Sequence, residues 1–256
     1  MHEAFDLYYK GTSKTDVLVY IMKAFSDELQ TCSAQDAENM EIAKWTAVGM
    51  WTYYPHQLSE FEAIDSEIEF NVPLGRMHGI RLVGRIDKRF KDKGAWWLGE
   101  FKTTSNPTLF VKSLDTARQA TTYTYAAIRS GIDVQGVLYD LIRKPALRRR
   151  NEETAEDFGK RIVADYASRP EEYYSRHYAY RNPEQLKQFV EDSSSIVREM
   201  RRRSKKMDFC RNVDACMDYN RECDFKKICF KGMHEPTMSM CFKRKQEEVN
   251  NVSETE

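Results

Sequence analysis

The sequence predicts an α/β domain with a mixed central sheet flanked by helices, and three observations predict it. Apolar residues recur at helical spacing through residues 2–53. Strand-like alternation then takes over between Ala63 and Thr103. A helical stretch from about Ser113 to Ser130 separates those strands from one more, Val134–Ile142. Helices, three meandering strands, a helix and a further strand form the order of an α/β core.

Residues 2–30 read as helical, with Phe5, Leu7, Tyr8, Val17, Val19, Ile21 and Phe25 as the core candidates. A second helix is expected from Ala34 to Tyr53. There Ile42, Trp45, Val48 and Trp51 recur at spacings of three, which makes a buried stripe. Pro55 follows its end. Ala63–Leu74 alternates through Ile64, Ile68, Phe70 and Val72 and reads as a strand. Gly79–Phe90 and Ala95–Thr103 are two further strands, and the Lys-Asp-Lys-Gly run at 91–94 reads as the hairpin turn between them. Asn106-Pro107 breaks the chain, and Gly131 stops the next helix. After Pro145 the chain is strongly charged, with helices expected over Glu152–Ser168 and Pro183–Lys206. The expected divisions are a core over residues 1–145, a helical part with the cysteine cluster over 146–230, and a disordered polar tail over 231–256.

Lys plus Arg and Asp plus Glu each number 40, so net charge lends nothing to nucleic-acid binding and any basic surface must be local. Three local clusters exist: Arg85, Lys88 and Arg89; Arg143 and Lys144 with Arg148–Arg150; and Arg201–Lys206. The first two flank the chemistry described below and are candidates for phosphate contacts. Trp96 and Trp97 either stack on unpaired bases or pack in the core. No run of about 18 apolar residues suggests a membrane span. The N-terminus has neither the basic start nor the apolar run of a signal peptide. A cytosolic, reducing location is expected, where clustered cysteines act as metal ligands or redox groups rather than disulfides.

The most informative stretch is Gly84-Arg85-Ile86-Asp87 followed by Leu98-Gly99-Glu100-Phe101-Lys102. Side chains alternate faces along a strand, so Glu100 and Lys102 point the same way. With Asp92-Lys93 as a two-residue turn, Asp87 lies opposite Leu98. Asp87 and Glu100 are then diagonal neighbours on one face, roughly 7–8 Å apart at the backbone. A slip of one residue would send Asp87 to the other face. Two convergent carboxylates suit a hard divalent cation such as Mg²⁺. A lysine two residues on can orient or deprotonate an attacking water and offset phosphate charge. A Glu-x-Lys triplet arises about once by chance in a chain of this size, so the weight rests on the Asp of the preceding strand.

These residues resemble a family. Gly-Arg-Ile-Asp87, then Glu100-Phe-Lys102-Thr-Thr-Ser, then Gln119-Ala-Thr-Thr-Tyr123 are similar to successive motifs of RecB-like PD-(D/E)XK nucleases. Val137-Leu-Tyr-Asp-Leu-Ile-Arg-Lys144 resembles the strand and basic end that follow, and the resemblance covers about residues 1–230. It implies a restriction-endonuclease-like core with a helical, cysteine-rich C-terminal segment. It implies Asp87 and Glu100 as metal carboxylates, the Phe101 backbone carbonyl as a further ligand, and Lys102 as the catalytic lysine. Gln119 and Tyr123 match the Gln-x-x-x-Tyr motif and share a helix face. His2 resembles the family's early-helix histidine, a nitrogen ligand that favours Mn²⁺ over Mg²⁺. The family carries a further segment before this histidine, so a late start or a shortened N-terminus is expected here.

Cys210, Cys216, Cys223 and Cys229 are separated by five, six and five residues. Zinc modules use tighter pairs. The spacing leaves iron–sulfur, zinc and buried apolar thiols as readings. The resemblance implies the first: three C-terminal cysteines of the family's iron–sulfur branch, with Tyr219 and Phe225 among the matching positions, join one N-terminal cysteine around a 4Fe-4S cluster. Cys32 falls after His2, on the wrong side of the motif. Cys210 is the local substitute and Cys241 a weaker candidate.

The function so implied is a Mg²⁺- or Mn²⁺-dependent DNA nuclease, an exonuclease of recombination, repair or phage replication. Its location would be the cytosol of a bacterial host. DNA is the expected partner, with a helicase, recombinase or single-strand-binding protein beside it and no membrane. Two alternatives are a catalytically silent DNA-binding or scaffolding subunit, and an interaction domain built around the cysteines.

Overall fold

A computed structural model of the protein describes residues 1–55, 64–206, 208, 210–218, 221–231 and 238. Ala63, Tyr219, Cys241 and all of the expected polar tail except Lys231 and Met238 lie outside the described residues. The chain divides into two compact units, Met1–Ile196 and Val197–Glu256.

The first unit opens with two helices where the sequence suggested one continuous stretch: α1, His2–Tyr9, and α2, Lys14–Leu29. Gly11 separates them at φ 100°, a conformation that costs glycine little. Ser13 then caps α2 by accepting the Asp16 N–H at 3.1 Å. Helix α3, Ala34–Tyr53, keeps its expected bounds, with Ser33 as its cap.

A five-stranded sheet follows in the order β1-β2-β3-β4-β5: β1 Ile64–Pro73, β2 Arg81–Asp92, β3 Ala95–Thr104, β4 Val134–Arg143 and β5 Tyr174–Ala179. Only β3 and β4 are parallel. The helical crossover between them is α4, Pro107–Ser113, and α5, Arg118–Arg129. The mixed sheet with flanking helices fits the restriction-endonuclease-like fold. Strand β5 was not foreseen. It follows α6, Ala155–Ser168, and the short α7, Pro170–Tyr173, and pairs with β4 at the sheet edge. Its polar, aromatic sequence Tyr-Ser-Arg-His-Tyr-Ala has no apolar alternation, because an edge strand takes its place from ladder bonds to its neighbour.

The hairpin register differs from expectation. Asp92 pairs with Ala95, so Lys93 and Gly94 form the two-residue turn, not Asp92 and Lys93. Their φ values are 49° and 81°. Tight hairpin turns of this kind demand positive φ at both central residues, and glycine best tolerates the second. Lys88 consequently pairs with Gly99, and one step along the same register sets Asp87 opposite Glu100. The shift is two residues, so no side chain changes face.

One face of the sheet is sealed by α1, α2, α3 and α6. Phe5 of α1 stacks on Phe101 of β3, ring centroids 3.7 Å apart and ring planes nearly parallel. Trp51, Tyr54, Ile142, Ile162 and Tyr166 complete that core. Helix α6 meets α3 closely: a Cβ on Gly159 would lie 2.3 Å from the Trp45 ring. The last helix of the unit, α8, begins at Pro183 and continues to Lys206 in the second unit.

The second unit holds a short 3₁₀ turn at Val213–Cys216, a two-stranded ladder of β6 (Met217–Asp218) and β7 (Arg221–Glu222), and α9 (Lys226–Lys231). Phe5→Ala removes a buried ring that seats α1 on the sheet. It should cost about 3–5 kcal/mol, read from urea unfolding; a loss below about 1 kcal/mol would show that α1 docks without it.

Candidate active site

Asp87, Glu100, Lys102, Gln119 and Tyr123 meet on the sheet face that α5 covers. Lys102 Nζ lies 2.6 Å from Glu100 Oε1. Gln119 Nε2 donates to the same oxygen at 2.8 Å and to Tyr123 Oη at 3.0 Å. The Tyr123 hydroxyl donates to the Arg85 carbonyl at 2.9 Å, which pins α5 to β2. The four-residue separation of Gln119 and Tyr123 makes this possible, because one helical turn puts both on one face. Across the hairpin, Asp87 Oδ2 accepts the Phe101 N–H at 2.9 Å and lies 3.2 Å from His2 Nδ1. The first turn of α1 thus brings His2 to the hairpin, and His2 remains more than half exposed.

The two carboxylates are electrostatically unlike. Burial raises the pKa of Asp87, but hydrogen bonds from His2 and the Phe101 N–H outweigh it and hold the carboxyl below its usual range. Glu100 moves the other way. Burial and the neighbouring Asp87 charge push it up, against the opposing pull of Lys102 and Gln119. Glu100 Oε2 is buried with no hydrogen-bond partner. An uncompensated buried carboxylate oxygen is costly, and a cation beside it would remove that cost. The donor set therefore fits a divalent metal of the oxygen-preferring kind. His2 titrates higher than ordinary histidine, because the hydrogen bond to Asp87 favours its charged form.

The basic cluster beside the site does not offer three phosphate contacts. Arg85 pairs with Glu67 at 2.9 Å, Arg89 pairs with Asp65, and Lys88 is fully buried against Asp140. The strands present these cations to acidic partners on β1 and β4, which sequence proximity could not reveal. Arg149 likewise pairs with Glu38 at 2.8 Å. Arg89 lies over Trp96, 4.7 Å from the ring centroid, and Trp97 packs edge-on against Tyr178.

The iron–sulfur expectation finds no support. Among the described residues no group of three or more His, Cys, Asp and Glu side chains is gathered to hold a metal ion, which is true of the cysteines and equally of His2, Asp87 and Glu100, where only His2 and Asp87 are in contact. Cys210 and Cys229 are exposed, and the Cys210 thiol accepts from Arg203 Nη1 at 2.6 Å. The ladder of β6 and β7 brings the backbones of Cys216 and Cys223 together, Cys223 N–H donating to the Cys216 carbonyl at 3.0 Å, without assembling a four-thiolate cage.

Missed from the sequence are Asp140 and Arg176, which join Lys88, there a candidate phosphate contact only, in a charged chain on the opposite face of the same strands. One signal existed: Asp140 is the lone charge inside the apolar run Val137–Ile142.

The sequence model of the PD-(D/E)XK nuclease superfamily matches residues 1–230, and the chain belongs to that superfamily. No curated protein matches it. Membership implies a phosphodiester hydrolase with a nucleic-acid substrate, in a superfamily that typically uses a divalent metal. Among the described residues no helix is long and apolar enough to cross a membrane.

A carboxyl whose folded pKa is raised carries no penalty below its unfolded pKa, where both states are protonated. It weakens the fold as pH rises through the folded value. Metal-free Glu100→Gln should therefore melt above the wild type near pH 8, with the gain shrinking towards about pH 4. Calorimetric scans in EDTA check this, and a gain independent of pH would contradict the burden assigned to Glu100.

Proposed function

We propose that the protein is a RecB-like, metal-dependent deoxyribonuclease that works as an exonuclease in recombination or repair. The observation that carries this reading is the arrangement around Glu100. Lys102 and Gln119 share one of its oxygens, the other is buried without a partner, and Asp87 stands across the hairpin. Asp87 and Glu100 would hold Mg²⁺ or Mn²⁺, with the Phe101 carbonyl as a backbone ligand and His2 as a nitrogen ligand that inclines the site to Mn²⁺. When bound, the cation supplies positive charge to the phosphate and acidifies water.

The chain's own groups have separate tasks. Lys102 is about one-third exposed, so its ammonium reaches both Glu100 and solvent. From there it orients the attacking water and offsets charge on the phosphate oxygens. Gln119 keeps the Glu100 carboxylate turned into the site, and Tyr123, anchored on the Arg85 carbonyl, keeps Gln119 in place. The RecB-like assignment is supported by Gln119 and Tyr123 meeting the hairpin from α5 and by His2 meeting it from α1.

Two outcomes are expected. On end-labelled single- and double-stranded DNA, Mg²⁺ or Mn²⁺ should support degradation and EDTA should abolish it. Lys102→Ala should lose about 10²–10⁴-fold in rate while unfolding like the wild type. Unchanged activity in that variant would sink the assignment, and salt-sensitive DNA binding without cleavage would point to a silent subunit. The second concerns His2, which must be neutral to bind a metal. Its raised pKa means that Mn²⁺ affinity should fall as pH drops through that value, more steeply than in His2→Ala. Titration of Mn²⁺ near pH 6 and near pH 8 reads the difference, and parallel pH dependences would remove His2 from the ligand set.

A further inference from the structure

Lys88 adjoins Asp87 on β2 and projects from the opposite face. Its side chain is fully buried, which is rare for lysine and requires a partner. The stem runs across β3 directly over Gly99, its partner in the register. A Cβ at position 99 would lie 2.2, 2.4 and 2.8 Å from Cε, Cγ and Cδ of Lys88. The glycine before Glu100 is therefore the groove in which this side chain lies. Beyond β3, Lys88 Nζ meets Asp140 Oδ2 of β4 at 2.5 Å and Tyr9 Oη of α1 at 3.2 Å. The Phe101 ring lies 4.4 Å from Nζ, and the Phe101 N–H is the donor that holds Asp87. Asp140 is gripped from its other side by Arg176 Nε of β5 at 2.8 Å.

Burying an ion pair gains little net stability over apolar side chains of the same volume. A charge pair can, however, hold one geometry where apolar groups slide. This pair ties β2 to β4 across the strand that bears Glu100 and Lys102. On the proposed nuclease reading, those strands carry the two metal carboxylates.

We propose that the Lys88–Asp140 ion pair is a positioning strut that sets Asp87 against Glu100 so that both can bind one divalent cation. Lys88 and Asp140 touch neither the metal nor the substrate; they act through the strands. Arg176 grips Asp140 without crossing β3 and so lies outside the strut.

The test measures Mn²⁺ affinity of the DNA-free protein by calorimetry, beside melting temperature and the kcat and KM of DNA cleavage. Lys88→Met/Asp140→Leu removes both charges together and should fold. Its Mn²⁺ affinity should drop about 10–100-fold, the range typical of groups that orient metal ligands. Its kcat should fall while KM for DNA stays near the wild-type value. Arg176→Met should keep wild-type Mn²⁺ affinity, even where it lowers the melting temperature. A folded double variant with wild-type affinity overturns the proposal, as does an equal loss in Arg176→Met. If the double variant does not fold, Lys88→Gln, which keeps a donor towards Asp140, takes the same measurements. Failure of both to fold assigns the pair to stability alone and overturns the strut, and so does a wild-type chain that binds no Mn²⁺. A wild-type chain that binds Mn²⁺ but cuts no DNA refutes the nuclease reading alone, and the affinities still decide the strut.

Discussion

Lys93 and Gly94 turn the chain with positive φ at both residues, and the strand side chains of the candidate site, Asp87, Glu100 and Lys102, take their pairing from that turn. With Asp92 opposite Ala95, the ladder runs through Lys88 and Gly99 to the site. Asp87, Glu100 and Lys102 then face α5, while Lys88, Gly99 and Phe101 face the core beneath α1 and α3. A slip of one residue would exchange the two sets, burying the wrong charges and exposing Phe101. The apolar face penalises that slip heavily, so the core that contains Phe5, Trp51 and Phe101 also protects the geometry of the polar face.

The two faces obey different electrostatics. On the core side, Asp140 is nearly inaccessible, and burial alone would raise its pKa. Lys88 and Arg176 more than compensate, and it ends below its usual range. On the α5 side, Glu100 is as deeply buried yet is left with an unpartnered oxygen, and its pKa moves up. One face satisfies its charges internally and the other leaves negative charge in excess. Stability and function pull apart at such positions, because a group held ready for an external cation is a burden until that cation arrives.

Much of the site was legible as pattern. Strand alternation put Glu100 and Lys102 on one face, and helical spacing did the same for Gln119 and Tyr123. The structure brings all four together at Glu100 Oε1 and Tyr123 Oη. Asp87 was placed on the right face from a register two residues out, since the two-residue period is blind to an even shift. The cysteines were misleading for the opposite reason. The family resemblance implied that they converge on a cluster, but thiols converge only where the backbone folds them together. The basic run Arg85, Lys88 and Arg89 was misread as available charge because its acidic partners, Glu67, Asp140 and Asp65, lie on other strands.

By itself the sequence determined the succession of N-terminal helices, three-strand meander, crossover helix and fourth strand, the hairpin that carries the acidic and basic groups, and the shared faces of residues two or four apart. Those are local properties, set by backbone periodicity and turn chemistry. Only the tertiary structure decided the hairpin register, the edge strand β5, the meeting of His2 with Asp87, and the pairing of Lys88 with Asp140 across Gly99. Those depend on which strands become neighbours and on how far a buried side chain must reach for a counter-charge. No spacing along the chain encodes either distance.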